Sequence, residues 1–215
     1  MGIAERRERE KEQRMNQILD AAQTVFFAKG ADLATMDDVA EEAELSKGTL
    51  YLYFKSKEEL YFGIVKRGLE ILEKMFKQAV ENEKTGLKKV SAIGKAYYQY
   101  CKEYPKYFKS MIYFESKELD FENKHSIAAD VDLKGHSVIK IIAEAIQTGI
   151  EDGSIRPDLD PIKTAIILWG QSYGVIQLLF MKGNHIKHQH NMDLEAIFNY
   201  SFNAHKYFLE NKKRD

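Results

Sequence analysis

Apolar residues recur along this chain at intervals of three and four almost from end to end, the spacing of helix faces rather than the alternation of strands. From Met15 the series Ile18, Leu19, Ala22, Val25 and Phe26 marks an amphipathic first helix that stops near Lys29-Gly30, where glycine suits a helix end. Met36, Val39, Ala40 and Ala43 form the apolar face of a second helix, with Asp37, Asp38, Glu41 and Glu42 turned away. Thr35 followed by Asp38 is a near capping box and sets the start of that helix at Met36. Ser46 caps a third, short helix, whose Leu50 and Phe54 reach the same core as Leu45. Ser56 with Glu59 reads as a full capping box, so a fourth helix begins at Lys57. It carries Leu60, Ile64, Gly68, Ile71, Leu72, Met75 and Ala79 for about six turns until Thr85 and Gly86 break it.

Leu87, Val90, Gly94, Tyr97, Tyr98 and Cys101 then mark a helix that Pro105 ends, and the same proline suits the first turn of the next, Lys106 to about Ser116. Residues 117 to 130 are polar and read as a loop or a frayed helix start. Val138, Ile141, Ile142, Ala145, Ile146 and Ile150 define another helix, closed by Gly153. Asp160-Pro161 is an N-cap followed by proline at the first helical position. The segment Ile162 to Met181 is apolar nearly all round. Its Gln171, Ser172 and Gln177 argue against a membrane span and for a helix buried on two sides, by its own domain and by a second subunit. The last helix carries Leu194, Ile197, Phe198, Ser201, His205 and Phe208 and completes a four-helix dimer interface. The expected class is all-α.

Composition narrows this picture. A chain of 215 residues, 44% hydrophobic and with three prolines, suits long helices around one or two cores. The one cysteine, Cys101, has no internal partner, and the charged N-terminus points to a cytoplasmic protein. A net charge of -1, and an excess of acids over bases in residues 1 to 60, argue against a chain-wide polyelectrolyte. DNA affinity would have to come from where the bases sit. Residues 2 to 14 alternate in sign, the pattern of a solvated helix extension; the functional alternative is an arm whose Arg6, Arg7 or Arg9 reaches a minor groove or flanking phosphate.

The organising stretch is Thr35 to Glu59. Lys47, Gly48, Tyr51, Leu52 and Lys55 fall on the outer side of the third helix, and no carboxylate occurs from Leu45 through Lys57, where three lysines do. Gly48 costs a helix interior about 1 kcal/mol relative to alanine, which suggests close approach of a backbone to something such as DNA phosphate. The run SKGTLYLYFKSKEEL, with Thr35 and Val39-Ala40 before it, resembles the helix-turn-helix signature of the tetracycline-repressor (TetR) family. The likeness is strong over the first quarter of the chain and fades to size and helix pattern beyond it. Where the family commonly has glycine in the turn, this chain has Glu44, so a positive φ kept there predicts local strain.

The resemblance implies a three-helix DNA-binding domain at 1 to 56, with its motif at about 35 to 54, and a helical effector-binding and dimerisation domain at 57 to 215. It further implies a homodimer, joined through the last two helices, that binds a palindromic operator as a repressor and leaves it when a small apolar or aromatic effector binds. Lys47 and Thr49 would then read bases or adjacent phosphates, and Leu52 would touch thymine methyl groups. Thr35, Ser46, Tyr51, Tyr53 and Lys57 would hold phosphates, with Gly48 permitting the approach.

Several motifs compete with that picture. Gly170-Gln171-Ser172-Tyr173-Gly174 is a literal G-x-S-x-G, with Asp193 and His205 following in hydrolase order, so an esterase using Ser172 is one alternative and a helical protein-binding adaptor another. That motif needs a strand, and no set of strands is in sight; two glycines letting helices approach fits better, and no enzyme is expected. His185, His188 and His190 fall in a supposed loop and read as solvated, so neither metal nor cofactor is expected. Cys101 reads as a small core residue. Aromatic residues crowd 97 to 114, and composition leaves a plain core and a ligand pocket evenly matched. The resemblance favours a pocket, drawn as Tyr97, Tyr98, Cys101, Met111, Phe114, Ile142, Trp169 and Tyr173.

Overall fold

A computed structural model of the chain describes residues 2–115 and 127–211. Among these it has nine helices: α1 (Ile3–Lys29), α2 (Met36–Glu42), α3 (Lys47–Tyr53), α4 (Lys57–Glu81), α5 (Gly86–Glu103), α6 (Pro105–Glu115), α7 (Ile127–Glu151), α8 (Pro161–His190) and α9 (Leu194–Leu209). The all-α class is therefore met. Residues 127 to 130, expected in a loop or frayed start, are already the first turn of α7, while 117 to 126 lie outside the described residues. Helix α8 runs nine residues past Met181, so His185, His188 and His190 stand on a helix and not in a loop. Asn191, in the left-handed conformation, ends it.

The chain divides into two compact units. The first comprises Met1–Leu69 and Lys106–Leu133, the second Glu70–Pro105 and Lys134–Asp215. In the first, Ile18, Ala22 and Phe26 of α1, Val39 of α2, Leu50 and Phe54 around α3, and Leu60 and Ile64 of α4 make one buried core. Each such large side chain contributes about 2 kcal/mol on burial. At Gly63 a Cβ would sit 2.5 Å from a methyl of Leu19, so the leucine packs directly over the glycine. Arg67 ties α4 back to α1 through Asp20 at 2.7 Å and through Asn16. Tyr107 of α6 packs edge-on against Phe27 and donates to Gln23 at 2.6 Å.

In the second unit, α5 approaches α7 so closely that a Cβ on Gly86 would lie 2.0 Å from the backbone nitrogen of Gly149. Asp152 and Ser154 cap the start of α5, accepting from the Gly86 and Leu87 amides. Helix α8 buries Thr164, Ala165, Leu168, Ser172, Ile176, Leu179 and Gly183, a stripe at helical spacing. Its other face carries exposed Ile162, Ile166, Ile167, Leu178 and Met181. Among the described residues only one of the two sides expected to be buried is covered. The end of α9 is held by backbone bonds from Arg156 to Leu209 and from Asn211 to Ser154.

Candidate functional site

The α2–α3 region of the first unit is built from local bonds. Thr35 accepts from the Asp38 amide at 3.1 Å, and Asp38 returns the favour to the Thr35 amide at 3.0 Å. Lys29 sits 2.7 Å from Asp38. That ammonium first, and the Thr35 hydroxyl and amide after it, hold the Asp38 carboxyl below its ordinary value. Helix α2 stops where Leu45 donates to the Ala40 carbonyl and Glu44 to that of Glu41. This pair of bonds demands a left-handed residue, normally glycine, and Glu44 supplies it at φ 53. The strain expected there is present and costs about 1 kcal/mol.

Helix α3 starts with Ser46 accepting from the Thr49 amide at 3.1 Å, the two hydroxyls being 2.8 Å apart. Leu50 and Phe54 point inward and are fully buried. Gly48, Tyr51 and Leu52 point outward, Leu52 with 75% of its surface exposed. A Cβ on Gly48 would meet only the Ser46 hydroxyl at 3.9 Å, so no neighbour in the chain requires glycine there. Lys47 is exposed and paired with Asp37 at 2.6 Å, a contact that raises its pKa. Tyr53 is half-buried on the flank of α3.

Lys57 is committed elsewhere: its ammonium donates to the carbonyls of Ala31 at 2.8 Å and Asp32 at 3.3 Å, bracing the α1–α2 loop. The expected Ser56–Glu59 box forms only in half. The Glu59 amide donates to Ser56, but the Glu59 carboxylate accepts from the Lys55 amide, one residue earlier.

Beside α3, the extended α1 carries Arg7, Lys11 and Arg14 into an open polar cleft whose other wall includes Tyr53. These cations recur at i, i+4 and i+7; Arg7 was among the arm residues expected from sequence, with Arg6 and Arg9, while Lys11 and Arg14 were overlooked although their spacing is readable there.

In the second unit lies a narrow cavity of about 40 Å³. Phe76, Ile93, Tyr97, Ile142, Trp169 and Phe202 supply apolar walls; Ser91, Ser172, His205 and Lys206 bring polar groups. Tyr97 stacks on Trp169 with centroids 5.0 Å apart. Burial lowers the His205 pKa, favouring neutral imidazole. Of the pocket residues drawn from sequence, Tyr97, Ile142 and Trp169 line this space. Tyr98 instead stacks on Phe198 at 3.9 Å, Cys101 is a fully buried core residue whose thiol pKa is pushed up by burial, and Tyr173 lies off the lining. Met111 and Phe114 belong to the first unit, Phe114 packing on Phe62. Phe202, His205 and Lys206 were missed, although Phe202 follows Phe198 by one helical turn.

Ser172 lies inside α8 with a buried side chain, so the G-x-S-x-G stretch has no strand-to-helix turn. Among the described residues Gly170 and Gly174 meet nothing that a Cβ would strike, so the close helix approach expected of them has no counterpart there. Among the described residues no three histidine, cysteine or acidic side chains are grouped to hold a metal ion.

Comparison with known proteins adds a lineage to this geometry. The sequence model of the tetR family of bacterial regulatory proteins matches residues 18–64. The HTH-type transcriptional regulator YhgD of Bacillus subtilis is 30% identical over 151 residues, covering 70% of this chain and 76% of that one. The HTH-type transcriptional repressor KstR2 of Mycolicibacterium smegmatis is 28% identical over 148 residues, 68% of this chain and 70% of its own. Among solved structures, FadR from Bacillus subtilis in complex with stearoyl-CoA superposes with a TM-score of 0.72 at 18% identity, covering 89% of this chain and 97% of FadR, a likeness of fold.

Proposed function

The chain belongs to the tetR family of bacterial regulatory proteins and is a DNA-binding transcriptional regulator; we propose that it works in the cytoplasm as a homodimeric repressor, released from a palindromic operator by an effector held in the second unit's cavity. The observation that carries this reading is α3 itself. Leu50 and Phe54 anchor the helix from within, leaving Lys47, Gly48, Thr49, Tyr51 and Leu52 to meet a major groove. Lys47 would exchange Asp37 for a phosphate or base edge, while Thr35, Ser46, Tyr51 and Tyr53 hold flanking phosphates. The Lys57 ammonium would act by bracing the loop before α2.

The exposed seam Ile166, Gly170, Gly174, Leu178 and Met181 on α8 supports the dimer, since its glycines leave room for a second helix to come close. Tyr200 and Tyr207 extend it on α9. The cavity supports an effector with an apolar body, and because Lys206 brings a positive charge to its lining, one with an anionic end. Acyl-CoA thioesters, the class bound by the FadR neighbour, meet that description. Phe76 at the cavity and Lys57 beside the loop belong to the same helix, α4.

Genomic fragments selected by the purified protein test the reading, with the single tryptophan, Trp169, as reporter of the cavity. The expected result is enrichment of fragments sharing an inverted repeat, released by stearoyl-CoA with a change in Trp169 fluorescence. Absence of enrichment would overturn the operator, and enrichment without release or fluorescence change would overturn the effector class.

A further inference from the structure

The cleft between the α1 extension and α3 has a composition that helix formation does not call for. Arg7 and Lys11 are four apart and Lys11 and Arg14 three apart, so like charges face one another along one side of the helix, an arrangement that weakens it. The carboxylate in the lining, Glu10, is already matched by Arg6 at 2.8 Å on the neighbouring face. Arg14 is half-buried and steered by a 2.8 Å bond to Gln17. Gln17 in turn donates to the Ala43 carbonyl at 3.5 Å, tying this wall to the α2–α3 turn. Opposite stands Tyr53 from α3 itself. The result is a cation-lined slot that also takes in Tyr53 of α3.

We infer that this cleft is a second DNA contact, in which Arg7, Lys11 and Arg14, with Tyr53, grip the phosphates of the duplex flanking the base pairs read by α3. The inference rests on the DNA-binding reading and adds to it a sequence-independent clamp made by the first helix. Guanidinium forks suit phosphate oxygens in pairs, and the tyrosine hydroxyl donates to a third. Because such contacts release condensed counterions, each leaves a mark on the salt dependence of binding rather than on base preference.

The full-length protein and a mixed-sequence duplex of about 40 base pairs, several helical turns long, suffice as a test. Affinity is measured between about 50 and 200 mM salt. The Arg7→Ala/Lys11→Ala/Arg14→Ala variant should flatten the slope of log K against log salt by about 2 to 3 per bound protomer. Alanine favours helix, so the variant should keep its helical content, which circular dichroism checks. Arg7→Ala and Arg9→Ala remove equal charge from opposite faces of one turn; only the first should change the slope. Equal effects from both, or a triple variant with the slope of the unmodified protein, would overturn the clamp while leaving α3 as the reader. Failure of the unmodified protein to bind any duplex would remove the DNA-binding reading along with it.

Discussion

Helices α3 and α8 both show large apolar side chains to solvent, and they do so in opposite ways. On α3, Leu52 stands 75% exposed among hydrogen-bonding neighbours: the Thr49 hydroxyl, the Tyr51 phenol and the Lys47 ammonium. On α8, Ile166 at 55% and Met181 at 67% belong to a continuous seam whose centre is two open glycines. The first surface can trade each polar group for a phosphate or base edge, and its leucine for a thymine methyl. The second has little to offer water or phosphate and gains only by being covered. Exposure by itself therefore says little; the chemistry surrounding the exposed carbon names the partner.

The same substitution at the two sites should separate them most sharply. Ile166→Arg places two charges in the proposed dimer seam and should weaken self-association by on the order of 3 kcal/mol, at least a hundredfold, read by sedimentation equilibrium. Leu52→Arg should leave association untouched and stability within about 0.5 kcal/mol, while changing which sequences are bound. Equal behaviour of the two variants would erase the distinction between the surfaces.

Glycines sharpen the contrast further. Gly86→Ala drives a methyl into the Gly149 backbone and should cost about 3 kcal/mol in chemical denaturation. Gly170→Ala meets open space within the subunit, so it should raise the intrinsic stability of α8 by up to about 1 kcal/mol and yet loosen the dimer. A destabilised monomer from Gly170→Ala would mean that its face is already in use. The smallest expected effect lies in the turn before α3: Glu44→Gly relieves the left-handed backbone at φ 53 and, after the entropy glycine costs, should stabilise the protein by about 0.5 kcal/mol without loss of DNA binding. A destabilising result would show that the carboxylate, not the backbone, matters there.

How far these features are legible beforehand depends on how far apart the partners lie in the chain. The Thr35–Asp38 and Ser46–Thr49 caps and the Asp160 cap of α8 join residues three apart, and each is readable from residue type and spacing. Even so, the Glu59 carboxylate chose the Lys55 amide over that of Ser56, a one-residue difference that backbone direction alone decides. The cavity was harder. Tyr97 and Tyr98 are neighbours in sequence but point about 100° apart on a helix, one toward Trp169 and one toward Phe198. The three histidines after Met181 resemble a loop by polarity, yet α8 continues beneath them, and Leu194 of α9 packs against it at Gly183.

Residue order by itself determined where α2, α3, α4 and α8 begin, which face of most helices is apolar, and that a short capped helix near residue 50 carries a cation and no acids. Those properties arise from bonds and side-chain periods spanning three or four residues. Only the tertiary structure decided that His205 and Lys206 join Trp169 at one cavity, that Lys57 spends its ammonium on a loop, and that half of α8 stays bare. A period marks the face that must be buried, but the neighbour that buries it is chosen by packing among segments distant in the chain.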